Sequence, residues 1–334
     1  MASSRSYSPI TVPDVTPAAA APADVPPLPA AAAAAAVTSV TTPARATDMF
    51  DVDLKVDSLV SGETMVTIAP PAKGTRVPVD ICCVVDVSGS MSTEATLKNA
   101  EGSTESHGLS VLDVAKHSVQ TIIQMLGPKD RLSLVTYSTT ADVVMSLCQM
   151  TDAGKRKAKA TVKKMRTDST TNIWAGLMKG LKDLKGKLVK GQKRYQCILL
   201  LTDGQPNVSP PRGETFMLQK FQNANPDMKC VVHTFGFGYN LNTKLLRELA
   251  DVGGGSFSFI PDASLVGTVF VNATSNILVT QSHHAQLRLT PLNGAKFADG
   301  KFLSGLPKAL RSKKDNESLV VDVGAVHFGQ RNQV

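Results

Sequence analysis

Cysteine is scarce in this sequence, and its spacing suits neither cross-linking nor metal binding. The 334 residues include five cysteines and no Cys-x-x-Cys pair. The odd count and the missing pair argue against a disulfide framework and a RING-type zinc site. Four cysteines (Cys82, Cys83, Cys197 and Cys230) lie in strand-like apolar runs. We therefore expect small buried core residues in a reducing compartment, and hence an intracellular, cytoplasmic location.

Long apolar runs and common catalytic motifs are also missing. Outside the Ala/Pro-rich N-terminus no run of about 20 apolar residues occurs, so we predict no transmembrane helix. The sequence has no Gly-x-Ser-x-Gly elbow and no Gly-rich loop ending in Gly-Lys-Ser or Gly-Lys-Thr. His107, His117 and His233 have no spacing that ties them to a nucleophilic serine. We predict that the chain is not an enzyme, and a hydrolase is the weaker alternative.

The sequence is organised around an apolar run that ends in alternating oxygen-bearing side chains. Ile81–Val85 reads as a strand buried on both faces, and Asp86, Ser88 and Ser90 follow it, with Gly89 allowing a sharp turn. Ligands of open α/β sheets bind at the carboxyl ends of strands. One carboxylate and two hydroxyls there suit a hard cation such as Mg²⁺. The alternative is a serine-rich turn that caps the following helix.

Two later stretches favour the metal site. Leu199–Gly204 is a second apolar strand ending in a carboxylate, Asp203, and Ser169–Ile173 offers hydroxyls just before a helix. With these pieces the sequence resembles the von Willebrand factor type A domain over roughly residues 79–280. The matching motifs are Asp86-Val-Ser-Gly-Ser90, Thr171 ahead of Asn172, and Thr202-Asp203-Gly204.

The resemblance implies a metal-ion-dependent adhesion site holding Mg²⁺ or Mn²⁺. Direct ligation would come from the hydroxyls of Ser88, Ser90 and Thr171, while Asp86 and Asp203 act largely through bound waters. One open position on the ion would take an exposed Asp or Glu of a partner protein. The neighbouring Thr170 leaves the choice of hydroxyl open, and we predict that Gly89, Met91 and Thr170 contact the partner. The sequence gives no indication of oligomeric state.

Strand–helix alternation predicts an α/β fold with a doubly wound, mostly parallel sheet. One edge strand should be antiparallel, because a four-residue turn at Ser138–Ala141 joins two strands. The predicted divisions are a disordered Ala/Pro-rich tail at 1–48, a β-hairpin at 49–74, the von Willebrand A-like domain at 75–280 and β-rich residues 281–334. The hairpin and the C-terminal strands should form one flanking β unit, and a truncated C-terminal unit is a further possibility.

This arrangement is similar to inter-α-inhibitor-like proteins and to U-box/Hint-associated von Willebrand A proteins of microbial eukaryotes. Glu105-Ser-His-Gly-Leu-Ser110 and Gly324-Ala-Val-His-Phe-Gly-Gln330 resemble the second group. No U-box lies within the sequence. The polar insertion Ser92–His107, which leaves from the proposed ion site, is predicted to be a solvated loop.

A basic region offers an alternative function. Residues 155–194 hold 14 Lys and Arg residues against Asp168 and Asp183, within a chain of net charge +8. Such a surface could bind nucleic acid or anionic lipid. Trp174 is the only aromatic residue in it, and Tyr195 directly follows the region. Nucleic acid is therefore disfavoured, and we interpret the region as a solvated helix face with a basic loop.

Overall fold

The computed structural model describes residues 52–58, 64–72, 74, 76–98, 104–187, 194–261, 263–291, 313–315 and 318–333. The predicted tail at 1–48 and parts of the basic region and the C-terminal unit lie outside these residues. The strands are β1 (Asp53–Ser58), β2 (Thr64–Ala69), β3 (Val79–Asp86), β4 (Glu94–Lys98), β5 (Thr104–Ser110), β6 (Arg131–Tyr137), β7 (Ala141–Gln149), β8 (Tyr195–Thr202), β9 (Cys230–Phe237), β10 (Gly254–Ile260), β11 (Thr280–Leu289), β12 (Lys313–Asp315), β13 (Ser318–His327) and β14 (Asn332–Gln333). The helices are α1 (Val111–Met125), α2 (Asp152–Lys164), α3 (Ile173–Lys185), α4 (Gly213–Ala224), α5 (Thr243–Val252) and α6 (Val266–Leu278).

A six-stranded sheet in the order β10-β9-β8-β3-β6-β7 carries the fold. Every neighbouring pair is parallel except β6 and β7, which pair antiparallel. The predicted α/β class with one antiparallel edge strand is confirmed. The domain boundaries at residues 49, 75 and 281 stay predictions.

Both faces of the central strands are buried because helices cover each face. Along β3, Ile81, Cys83 and Val85 pack with α1, α2 and α6, whereas Cys82 and Val84 pack with α3, α4 and α5. All eight residues of β3 and of β8 are buried. The unbroken apolar runs of these strands reflect this burial on both sides. Helix α4, which our sequence reading did not assign, completes the second layer.

Helix α3 approaches the sheet closely because small residues face it. A Cβ atom added to Gly176 would lie 2.5 Å from the Tyr137 ring, and one added to Gly180 would lie 2.8 Å from Val84. The two glycines therefore let α3 pack directly over the carboxyl end of β6. Tyr137 is held in place by this contact and is buried.

The polar insertion is a β-hairpin, so the prediction of a solvated loop is wrong for most of it. β4 and β5 pair antiparallel from Glu94↔Ser110 to Lys98↔Thr104. Along β4 the side chains of Glu94 and Thr96 are exposed and that of Ala95 is partly buried. The sequence of β5, Thr-Glu-Ser-His-Gly-Leu-Ser, shows no apolar alternation, so the pair is not marked as a hairpin. Residues 99–103 lie outside the described part.

Strands from both chain ends pack together. β2 pairs antiparallel with β1 and with β14, and β11, β13 and β12 form a separate sheet. Val66 of β2 lies in one buried cluster with Leu287 of β11 and Val321 of β13. The hairpin and the C-terminal strands thus share a small apolar core. In the part of the chain that the structure describes, no helix is long and apolar enough to cross a membrane.

This shared core predicts that the C-terminal strands depend on the hairpin. Val66→Asp places a charge where the native side chain is 3% exposed, which is strongly unfavourable without a partner. Limited proteolysis should then cleave within β11 and β13 while residues 80–278 stay protected. Val52→Asp, at a position that is 39% exposed, is the matched control. Unchanged protection of β11 and β13 in Val66→Asp would show that these strands stand alone.

Candidate metal centre

Asp86 is the last residue of β3 and is fully buried among hydrogen-bond donors. Its Oδ1 accepts from the backbone N–H of Ser88 at 2.8 Å. Its Oδ2 accepts from the hydroxyls of Thr202 at 2.6 Å and Tyr137 at 3.1 Å. Those two residues end β8 and β6, the strands on either side of β3. The parallel sheet therefore fixes this carboxylate by bringing three strand ends together.

The next turn links the two predicted serines to the second carboxylate. Gly89–Ser92 forms one 3-10 turn directly after β3. The hydroxyl oxygens of Ser88 and Ser90 are 3.2 Å apart, and the Ser90 hydroxyl donates to Asp203 Oδ1 at 2.9 Å. Four of the five predicted ligand residues are thus joined by hydrogen bonds.

Thr171 comes from the loop between α2 and α3, which is bonded to the same turn. The Gly89 N–H donates to the Ser169 carbonyl at 3.0 Å. The Thr171 N–H donates to Asn207 Oδ1 at 3.0 Å. Thr171 is buried and faces the cavity that Ser90 and Asp203 also line.

The choice between the two threonine hydroxyls favours Thr171. The Thr170 hydroxyl lies 2.7 Å from that of Thr139, away from the cavity lining. A Cβ atom added to Gly204 would lie 3.8 Å from Ser90 Oγ and 3.9 Å from Thr171 Oγ1. The Ser90 and Thr171 hydroxyls therefore converge on the turn that follows Asp203.

Both carboxylates carry a raised pKa. Burial, followed by the negative charge of Asp86, raises the pKa of Asp203 from 3.8 to about 6, although the Ser90 hydrogen bond opposes this. Burial also raises the pKa of Asp86 against the hydrogen bonds from Ser88, Thr202 and Tyr137. Among the residues that the structure describes, neither carboxylate forms an ion pair with Lys or Arg.

The donor set fits a hard divalent cation better than a soft one. Two carboxylates and three hydroxyls supply oxygen alone, which Mg²⁺ and Mn²⁺ accept and thiolate-seeking metals do not. Within the described ranges no group of three or more His, Cys, Asp or Glu residues is placed to hold a metal. An ion here would therefore depend on the hydroxyl oxygens as well as on the two carboxylates.

One predicted partner contact is wrong. Met91 is 0% exposed, because the 3-10 turn directs its side chain into the core beside α1. A partner at the surface cannot reach it. Gly89 and Thr170 remain on the accessible rim, since Gly89 is exposed and Thr170 is partly exposed.

Sequence reasoning missed the residues that position Asp86 and Thr171. Tyr137 lies opposite Asp86 in the register of β3 and β6, and Asn207 holds the backbone of Thr171. Thr202 was quoted only as part of a motif, yet its hydroxyl makes the shortest of the hydrogen bonds to Asp86. Tyr137 and Thr202 could have been found from the sequence, because both lie at the carboxyl ends of strands that neighbour β3.

Comparison with known proteins supports the fold and the family. The chain is 29% identical over 212 residues to the uncharacterized protein sll0103 of Synechocystis sp., covering 62% of this chain and 44% of that protein. It is 30% identical over 252 residues to inter-alpha-trypsin inhibitor heavy chain H3 of Mus musculus, covering 72% of this chain and 26% of that protein. The chain spans less than half the length of these relatives.

A solved structure described as von Willebrand factor type A from Catenulispora acidiphila superimposes with a TM-score of 0.59 at 18% identity. The match covers 81% of this chain and 59% of that chain, and it shows the same fold. The family model for the von Willebrand factor type A domain matches residues 80–271. Because that match takes in more than half of the sequence, the chain belongs to the von Willebrand factor type A domain family.

Proposed function

We propose that this protein is a divalent-metal-dependent protein-binding module. Domains of this family are generally protein-interaction modules and are often metal-dependent. The hydroxyls of Ser88, Ser90 and Thr171 would hold Mg²⁺ or Mn²⁺, with Asp86 and Asp203 acting largely through water. A bound divalent cation supplies an electrophilic position that accepts a carboxylate oxygen from an Asp or Glu of the partner.

One observation carries this proposal: two buried carboxylates lie close together, and no described Lys or Arg forms an ion pair with either of them. The hydroxyls that hold Asp86 are neutral donors, and the one that contacts Asp203 is neutral too. They orient the negative charges without neutralising them. Buried charges are unfavourable unless they are paired or bind a metal, so this pair of carboxylates favours a cation ligand.

We also propose that the chain is not an enzyme. The hydroxyl of Ser90 donates to the Asp203 carboxylate. Among the described residues that line the cavity there is no His, Lys or Cys to act as a general base or nucleophile. A hydroxyl held by an acidic residue in this way suits metal ligation better than covalent catalysis.

An intracellular, cytoplasmic location follows as a proposal from the thiols. All five cysteines are free, and three of them are buried. Burial raises the pKa of the Cys82 thiol to about 12, which suits an unreactive core residue. Imaging of a tagged full-length protein in its native cell would test the location.

The basic face of helix α2 supports a second candidate function, which is the binding of a polyanion. Its exposed Arg156, Lys157, Lys163 and Lys164 have no carboxylate ion-pair partner within the described part of the chain. A polyanion such as nucleic acid or an anionic membrane could bind there by charge alone. The two functions differ in their metal dependence, and the basic face therefore provides a control for the metal site.

Asp86→Asn should weaken Mg²⁺ binding at least about tenfold, because it removes one of two carboxylates while keeping the side chain's shape. Isothermal titration calorimetry on the wild type and the variant measures the change. Lys163→Glu/Lys164→Glu, on exposed positions of α2, should bind Mg²⁺ like the wild type. If folded Asp86→Asn keeps the wild-type affinity, the ion does not bind at this site.

Asp203→Asn should stabilise the metal-free protein at pH 7. The pKa of Asp203 is raised to about 6 in the folded protein, so its ionisation destabilises the fold above that pH. The destabilisation fades as pH falls through 6 and is gone below about 4. We expect Asp203→Asn to add about 1–2 kcal/mol to the free energy of unfolding at pH 7 in chelator, with a smaller gain at pH 5.

Urea denaturation with chelator and with Mg²⁺ measures both parts of this prediction. Added Mg²⁺ should stabilise the wild type and have little effect on Asp203→Asn, because the neutral amide no longer attracts the ion. Equal stabilisation of both proteins by Mg²⁺ would place the ion elsewhere. If Asp203→Asn is less stable than the wild type in chelator, the ionised Asp203 carboxylate does not destabilise the fold.

A further inference from the structure

The cavity at the candidate metal centre extends beyond the oxygen ligands. Its volume is about 680 Å³, which is far more than one carboxylate group fills. Besides Ser90, Thr171 and Asp203, its lining includes the apolar side chains of Ala95, Val111, Val114, Phe237, Ile260 and Pro261. Val111, Val114, Phe237 and Ile260 are buried beneath the lining, whereas Ala95 and Pro261 are partly exposed and Tyr239, which also lines the cavity, is exposed. A ligand that contacted only the ion would leave Ala95, Tyr239 and Pro261 facing water.

The order of strands separates the polar part of the lining from the apolar part. Asp86 ends β3 and Asp203 follows β8, whereas Tyr239 and Pro261 lie just beyond β9 and β10, the next two strands of the sheet. Neighbouring strands lie about 4.8 Å apart, so β9 and β10 end about 5 and 10 Å from the end of β8. In an extended peptide, side chains two residues apart lie on the same side and about 7 Å apart. This spacing matches an acidic side chain and an apolar one at positions i and i+2.

The hairpin of β4 and β5 forms the other wall of the groove. Thr93, Glu94, Ala95 and Thr96 line the cavity, and the Thr93 carbonyl accepts from the Val111 N–H at the start of α1 at 2.9 Å. Ala95 is partly buried and packs against the apolar core. The hairpin thus adds Ala95 to the accessible apolar part of the lining.

The charge of the lining limits the kind of ligand. One divalent cation would offset the charges of Asp86 and Asp203, of which Asp203 lines the cavity. No Lys or Arg lies among the described residues of the lining. A second anionic group on the ligand would therefore meet repulsion. The groove suits a segment with a single acidic residue and otherwise neutral or apolar neighbours, and it disfavours a polyanion.

We propose that the partner of this site is an extended protein segment with one Asp or Glu and a large apolar residue two positions away. The acidic side chain occupies the metal centre, and the apolar side chain contacts the accessible surface of Ala95, Tyr239 and Pro261. This inference rests on the proposed metal-dependent function and adds the sequence that the site selects. Tyr239, 60% exposed at the rim beside Phe259, contacts the same apolar residue.

Fluorescence anisotropy with labelled pentapeptides tests the inference on the full chain in Mg²⁺. The probes are Gly-Asp-Gly-Leu-Gly and Gly-Leu-Gly-Asp-Gly, compared with Gly-Asp-Gly-Ser-Gly and with penta-glutamate. At least one leucine peptide should bind at least tenfold more tightly than the serine peptide, because a buried leucine side chain leaves water. Chelator should abolish this binding.

Two variants locate the apolar contact. Tyr239→Ser and Ala95→Gln, both without a change of charge, should reduce the preference for leucine to less than about threefold while Mg²⁺ binding by calorimetry stays unchanged. Tyr239 is exposed, so its variant should fold even if Ala95→Gln does not. Val144→Ser, at an exposed position on edge strand β7, should keep the full preference and is the matched control.

The possible outcomes distinguish the proposed peptide specificity from the metal-dependent function on which it rests. Equal binding of the leucine and serine peptides, tighter binding of penta-glutamate, or no peptide binding by a Mg²⁺-loaded protein would overturn the groove's proposed specificity. Each of these results leaves the metal site in place. Absence of Mg²⁺ binding itself, or peptide binding that persists in chelator, would overturn the metal-dependent function.

Discussion

The burial of the Asp86 carboxylate at the end of β3 is the constraint on which the candidate site depends. This group is reached from three sides by hydroxyl and backbone donors, from Ser88, Tyr137 and Thr202. Two of those donors end the flanking strands, so the site forms only when β6, β3 and β8 align in parallel register. Gly176 lets α3 close over Tyr137. The packing of α3 against the sheet therefore fixes Tyr137 and, through the Tyr137 hydroxyl, the Asp86 carboxylate at the end of β3.

Placing the carboxylates of Asp86 and Asp203 close together lowers the stability of the folded protein. Asp203 lies near Asp86 without a cationic side chain among the described residues, and the raised pKa of each carboxyl reflects burial together with, for Asp203, the like charge. Two other buried acids are paired with arginine: Arg131 and Arg194 hold Asp80, and Arg76 holds Asp130. The contrast sets the candidate centre apart from the structural ion pairs at the opposite ends of the strands. Sites that break the usual rule of charge pairing are commonly functional.

The sequence predicted those parts of the protein that local patterns determine. The apolar runs of β3 and β8 revealed two central strands and the carboxylates that follow them, and the short turn after Tyr137 revealed the antiparallel edge. The β4–β5 hairpin escaped prediction because polar residues predominate in it and β5 shows no apolar alternation. The inward position of Met91 and the roles of Tyr137 and Asn207 depend on strand register and loop contacts, which single-sequence patterns do not contain. The resemblance to U-box/Hint-associated proteins stays a prediction.

The most direct measurement of the central claim is anomalous X-ray diffraction from crystals grown with Mn²⁺. We expect an anomalous peak within bonding distance of the hydroxyl oxygens of Ser88, Ser90 and Thr171, with Asp86 and Asp203 in the surrounding layer. The peak should be absent from crystals of the wild type grown with chelator. Well-ordered Mn²⁺ crystals with no peak beside these hydroxyls would contradict the assignment of this strand edge as a metal centre.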